Sequence, residues 1–160
     1  FHPTVEAYTR ATGQPWWTSA RTRGTRVDLL PLRVLTTRGI VETTLKHECV
    51  HVLTEATLAG RPLWVREGLA AVLAGEFAHV TQDGRAALAR DVSSVKQGSR
   101  VEQDVAQDVS SAKHDRDSRC PSDSDLRDAT SPSAWRRAYE AAAACVSRAL
   151  ASGHRWQDLR

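Results

Sequence analysis

Leu45-Lys46-His47-Glu48-Cys49-Val50-His51, followed by Leu63-Trp64-Val65-Arg66-Glu67-Gly68-Leu69-Ala70, is the stretch whose reading decides the fold. Two histidines four residues apart share one helix face and can hold a single metal ion. Glu48, beside the first of them, can then reach a water on that ion. Glu67, on a following helix, can supply a third ligand and leave one coordination position open, as hydrolytic zinc sites require. In a shuffled 160-residue chain with 6 His and 8 Glu, His-Glu-x-x-His arises only about 0.01 times. The competing interpretation of the pentapeptide alone is an amphipathic helix with two solvated histidines.

The surroundings bear on that choice. Over Glu42–Ala59, Leu45, Cys49, Val52, Leu53 and Ala56 recur at helical spacing. At 100° per residue this stripe lies roughly opposite His47 and His51. Val50 and Leu58 flank the histidines, so the helix is apolar on more than one side and is expected between packed layers. Gly60-Arg61-Pro62 breaks it, and Leu63–Ala74 follows as a second helix, apolar almost all round, with Glu67 its only acidic residue. An isolated carboxylate on a buried helix is costly unless it is paired or binds metal. Gly68 lowers helix propensity but leaves room for a close helix–helix approach.

These residues resemble the gluzincin, or peptidase MA-like, metallopeptidases, whose pattern is His-Glu-x-x-His followed by a helix bearing a Glu-Gly-x-Ala-like segment, here Glu67-Gly68-Leu69-Ala70. The resemblance runs from about Trp16 to Leu150, and its specific part is confined to residues 45–74. It implies that His47, His51 and Glu67 are zinc ligands. It also implies that Glu48 is the general base, taking a proton from the zinc-bound water and passing it to the leaving amine. Related aminopeptidase-like enzymes carry a tyrosine on a downstream helix that hydrogen-bonds the tetrahedral intermediate. Ser133–Leu150, an amphipathic helix, contains Tyr139-Glu140-Ala141-Ala142 in that place, so Tyr139 is the expected oxyanion stabiliser. The alternative for Tyr139 is a core aromatic whose hydroxyl is satisfied locally. His79, His114 and His154 are other donors, each more readily an ordinary surface histidine. Glu55 could accept from a ligand histidine, although a solvated helix carboxylate is the simpler reading.

Length and composition set bounds. A chain of 160 residues suits one domain spanning 1–160. No stretch approaches 18 uninterrupted apolar residues, so no transmembrane helix is expected. The net charge is +3, with 19 Arg to 3 Lys, a ratio that fits codon bias in a GC-rich genome. The sequence lacks a basic face interleaved with aromatics, so no nucleic-acid partner is expected. Arg21–Arg26 is better taken as the tip of a hairpin. A chain without Met that begins at Phe1 is read as a processed form or a domain of a longer precursor or multidomain protein. The compartment stays open, with export or the cell envelope favoured. Three cysteines make no disulfide framework. Cys49 is taken as a small core residue, and pairing of Cys120 with Cys145 is left open.

Elsewhere, Pro3-Thr4 starts a short helix that Gly13 ends. Trp17–Thr22 and Thr25–Leu30 form a β-hairpin, with Pro31 stopping the second strand. Val27–Leu30 is the candidate edge to which an extended peptide adds a strand; a plain structural hairpin is the equal alternative. Gly39-Ile40-Val41-Glu42 resembles an N-cap with its glutamate at the third position. Gly84–Gln97 suggests another helix, and Val101, Val105 and Val109 a weaker one. Residues 98–131 are a polar loop or insertion, most mobile over Lys113–Asp128.

The expectation is therefore an α+β, zincin-like domain, mostly helical with a small N-terminal hairpin. The expected function is a Zn2+-dependent peptidase acting on a peptide or protein substrate. The rival is a catalytically silent zincin fold serving as a peptide-binding or cell-envelope interaction module.

Overall fold

Alternation of short polar turns with apolar helices builds two unequal cores, and the histidine-bearing helix lies between them. The structure, a computed structural model, describes residues 1–96 and 119–160, with the side chains of 91–96 excepted. The region suggested as a weak helix around Val101, Val105 and Val109, and His114, lie outside the described residues.

The chain begins with α1 (Val5–Thr12), capped by the Thr4 side chain at one end and closed by Gly13 at the other. The hairpin follows as β1 (Ala20–Arg23) and β2 (Arg26–Leu29), paired antiparallel with Ala20 opposite Leu29 and Arg23 opposite Arg26. Its strands are shorter than the hydrophobic pattern suggested, and this two-stranded ribbon is the whole sheet among the described residues. Tyr8, Leu29, Leu30 and Leu35 form the smaller core beneath it.

Pro31 leads directly into α2 (Leu32–Thr37), a short helix that the sequence reading did not anticipate. The motif helix α3 runs Val41–Thr54, ending earlier than expected. Ile40 precedes it without any side-chain cap, and Glu42 pairs with Lys46 at 2.6 Å instead of closing a capping box. α4 (Leu63–Ala74) coincides with the expected second helix. α5 spans Ala78–Lys96, starting six residues before Gly84. Part of the supposed polar loop is ordered: α6 (Asp123–Arg127) has a full capping box between Ser122 and Asp125. α7 (Pro132–Ala151) closes the fold, with the Ser131 side chain as its cap and Pro132 in its first turn.

The larger core consists of Leu58, Val65, Leu69, Val72, Val146, Leu150 and Leu159. It is centred on α4, which packs chiefly on α7, as does α5. Gly68 explains how close α4 and α7 come. A Cβ there would sit 2.7 Å from Val146 Cγ2 and 2.8 Å from the Ala142 carbonyl carbon. Cys120 and Cys145 form a disulfide, with Cα atoms 5.7 Å apart, that ties the chain leading into α6 to the middle of α7. The fold is thus mostly helical with one small sheet, and no helix among the described residues is long and apolar enough to cross a membrane.

The motif helix is oriented against its hydrophobic stripe. Leu45, Cys49, Leu53 and Ala56 are exposed, Leu53 to 81%, whereas Thr44, His47 and Glu48 are buried. Cys49 is therefore a surface thiol, not a core residue. α3 is buried through its polar groups together with Val41 against the smaller core and Val50 against the larger, and the turn that follows adds Leu58.

Candidate metal centre

Three side chains converge where α3 meets α4. His47 and His51, one helical turn apart, present their Nε2 atoms to the same oxygen: each lies 3.3 Å from Glu67 Oε2. Their side chains are only 10%, 11% and 16% exposed, and their candidate ligand atoms all fall within 4.8 Å of one another. A separation of 3.3 Å is long for a hydrogen bond between such groups. It does match the edge of a tetrahedron whose centre is about 2.0–2.1 Å from each corner, which is about 3.3 Å. Two imidazoles and a carboxylate are the donor set of a hydrolytic zinc site, so these residues fit the ion.

Electrostatics point the same way. Burial alone would lower the His47 pKa, but the carboxylates of Glu67 and Glu76 overcome it and carry the ring up to about 10. Burial likewise opposes the charge on Glu67, and His47 and His51 nevertheless hold its carboxyl far below the ordinary carboxylate range. The carboxylates thus draw positive charge to this point, carried by a proton on His47; a bound cation would supply that charge instead, because an imidazole must give up its proton to become a ligand.

Glu76 was missed by the sequence reading. Its Oε1 lies 3.2 Å from His47 Nδ1, an ion-pair contact, and Nδ1 has no hydrogen-bond partner among the described residues. The chain is turned back towards α3 at the end of α4. Gly75 closes that helix at φ 79°, the Glu76 N–H donates to Ala71 O, and Phe77 follows at φ 49°. A glycine C-cap followed by Glu was the available signal. Glu55, considered for this role, instead lies 3.9 Å from Arg66.

Glu48 is buried beside the cluster, and its Oε2 accepts a hydrogen bond from Thr22 Oγ1 at 2.5 Å. Thr22 belongs to β1, so the hairpin holds the candidate base in place. Sequence offered no sign of this, because the contact joins residues 26 apart. Tyr139 reaches the same cleft from α7, with its ring stacked on Trp135 at 4.2 Å. Burial, and then the negative charges of Glu67 and Glu48, raise its phenol pKa well above the ordinary value. Its hydroxyl therefore stays a proton donor. His79 is exposed and paired with Glu140 at 2.6 Å, and neither it nor His154 borders the cleft.

The cleft itself has a volume of about 590 Å³ and holds His47, Glu48, His51, Glu67 and Tyr139 on its wall. Its strand-side wall runs from Ser19 to Thr22 along β1, and none of Val27–Leu30 contributes. The strand edge facing the site is therefore β1, not the one expected. The α6 side adds Leu126 and Arg127. Asp123 on that helix accepts from the Leu63 N–H at 2.7 Å, capping α4 across a gap of 60 residues.

No protein-family model matches the chain, and neither a curated protein nor a solved structure matches it.

Proposed function

We propose that the protein is a zinc-dependent peptidase of the zincin type. The observation that carries this reading is the single Glu67 oxygen set equidistant from two histidine nitrogens, with buried Glu48 one residue from the first. His47, His51 and Glu67 would hold the ion. Zinc, when bound, polarises a carbonyl oxygen and lowers the pKa of a water.

The remaining work belongs to the chain. Glu48, steadied by Thr22, accepts the proton that the attacking water loses and returns it to the leaving nitrogen as the C–N bond breaks. Tyr139, held in its protonated form, donates to the oxygen on which charge develops. An extended substrate lies along β1, pairing with its free edge.

The test has two parts. The chain should retain about one zinc ion, and His47→Ala should lose it. Glu48→Gln should keep the metal while cleavage of a peptide library falls by about 10²–10⁴-fold. Equal behaviour of wild type and Glu48→Gln on every peptide would refute the proposal.

A further inference from the structure

Among the described residues the cleft is lined by five arginines, Arg21, Arg38, Arg66, Arg127 and Arg136, and by no lysine. Most of its charge is already engaged. Glu48 is bonded to Thr22, and Glu67 and Glu76 face the histidines. Glu55 lies near Arg66, Arg127 is paired with Asp123 at 3.1 Å, and Arg21 donates to the Thr12 carbonyl. Two cations are left over. Arg38, which ends α2, and Arg136, on α7, are both exposed. Among the described residues neither has an ion-pair or hydrogen-bond partner in its side chain. Arg136 stands one turn before Tyr139, and so on the same face of α7. Arg38 lies just before Ile40, Thr43 and Thr44, which share its wall.

We propose that Arg38 and Arg136 select peptides bearing carboxylates near the scissile bond, so that the substrate class is an anionic peptide. This deepens the peptidase reading and rests on it. The guanidinium is a planar fork that suits a carboxylate through two parallel N–H donors. Two guanidiniums without partners among the described residues, both on the wall of the cleft, also concentrate ligands of opposite sign around them. A nucleic-acid strand is the other polyanion to consider. A peptide is favoured because the outer edge of β1, paired only with β2 among the described residues, offers alternating donors and acceptors at the spacing of an extended peptide backbone.

The experiment measures binding, which keeps it separate from turnover. The Glu48→Gln protein loaded with zinc is titrated against two fluorescent peptide pools, identical except that one carries Asp and Glu where the other carries Asn and Gln. The acidic pool should bind about tenfold more tightly, about threefold from each exposed guanidinium, and the advantage should shrink as salt rises. Arg38→Gln and Arg136→Gln should each cut the preference about threefold, with unchanged melting temperatures because both side chains are exposed. Equal binding of the two pools, or a preference that survives the double variant, would overturn the proposal. So would a single-stranded oligonucleotide of the same charge that displaces the acidic pool at lower concentration. The peptidase reading fails on a different observation, the absence of any cleavage difference between wild type and Glu48→Gln.

Discussion

Replacing Gly68 with alanine should displace Tyr139 from Glu67 while leaving both side chains intact. The new methyl group would lie 2.7 Å from Val146 Cγ2, 2.8 Å from the Ala142 carbonyl carbon, and nearer still to its oxygen. Two of those atoms are backbone and cannot rotate away. Ordinary carbon contacts need about 3.5–4.0 Å, so α7 must retreat by about 1 Å. Overpacking of this kind costs about 1–3 kcal/mol, and alanine's better helix propensity offsets about 1 kcal/mol of it. A net loss of up to about 2 kcal/mol would lower the melting temperature by up to about 6 °C. Tyr139 lies one turn before Ala142 on the same helix and moves with it. A 1 Å error in a group that contacts the reacting atoms costs about 10²-fold in rate. Calorimetry, zinc content and kcat/KM on a cleaved peptide should therefore report a slightly weaker, fully metallated, nearly inactive protein. Tyr139→Phe added to Gly68→Ala should do little more. A Gly68→Ala protein that melts higher and cleaves normally would refute the reasoning, because propensity alone would then have decided the outcome.

Glu76→Gln keeps the shape of the His47 partner but removes its charge, and chelator competition should show zinc affinity reduced by about 10–100-fold. Asp28 gives a stability signature in acid. Arg26 holds its carboxyl below the usual value against the effect of burial, and His2 assists. Because the folded pKa lies below the unfolded one, its contribution is complete above about pH 4 and fades as pH falls through the folded value. Denaturation curves of wild type and Asp28→Asn should thus differ at pH 6 and converge towards pH 2. The Cys120–Cys145 bridge closes a loop with a sequence separation of 25, for which chain entropy suggests about 3.5 kcal/mol. A Cys120→Ala/Cys145→Ala variant should show that deficit in urea titration.

The legible parts of this chain were those written in local spacing. His47, His51 and Glu67 could be assembled because i,i+4 geometry and one helix break bring them together. α4 could be delimited because Pro62 and Gly75 bound it. What spacing could not supply was contact between distant segments. Thr22 on Glu48, Glu76 on His47 and Asp123 on Leu63 each depend on how loops return. Val27–Leu30, held as a candidate edge on equal terms with a plain hairpin, does not line the cleft, and spacing could not decide this because both strands of a hairpin carry similar patterns. The burial of α3 was misjudged for a different reason: hydrophobic periodicity predicts the inward face, and here clustered polar groups took it. Pairing of Cys120 with Cys145 could not follow from a count of three cysteines.

That reversed helix has a consequence for assembly. With Leu45 and Leu53 turned to water, α3 gains little from oil-like burial along its own length. It is fastened through imidazole and carboxylate groups, with Ile40 and Val41 at its start and Val50 and Leu58 near its end as its apolar footing. A metal ion held there, as proposed, would act as the rivet of the helix, so stripping it away would loosen the very scaffold that displays the binding atoms.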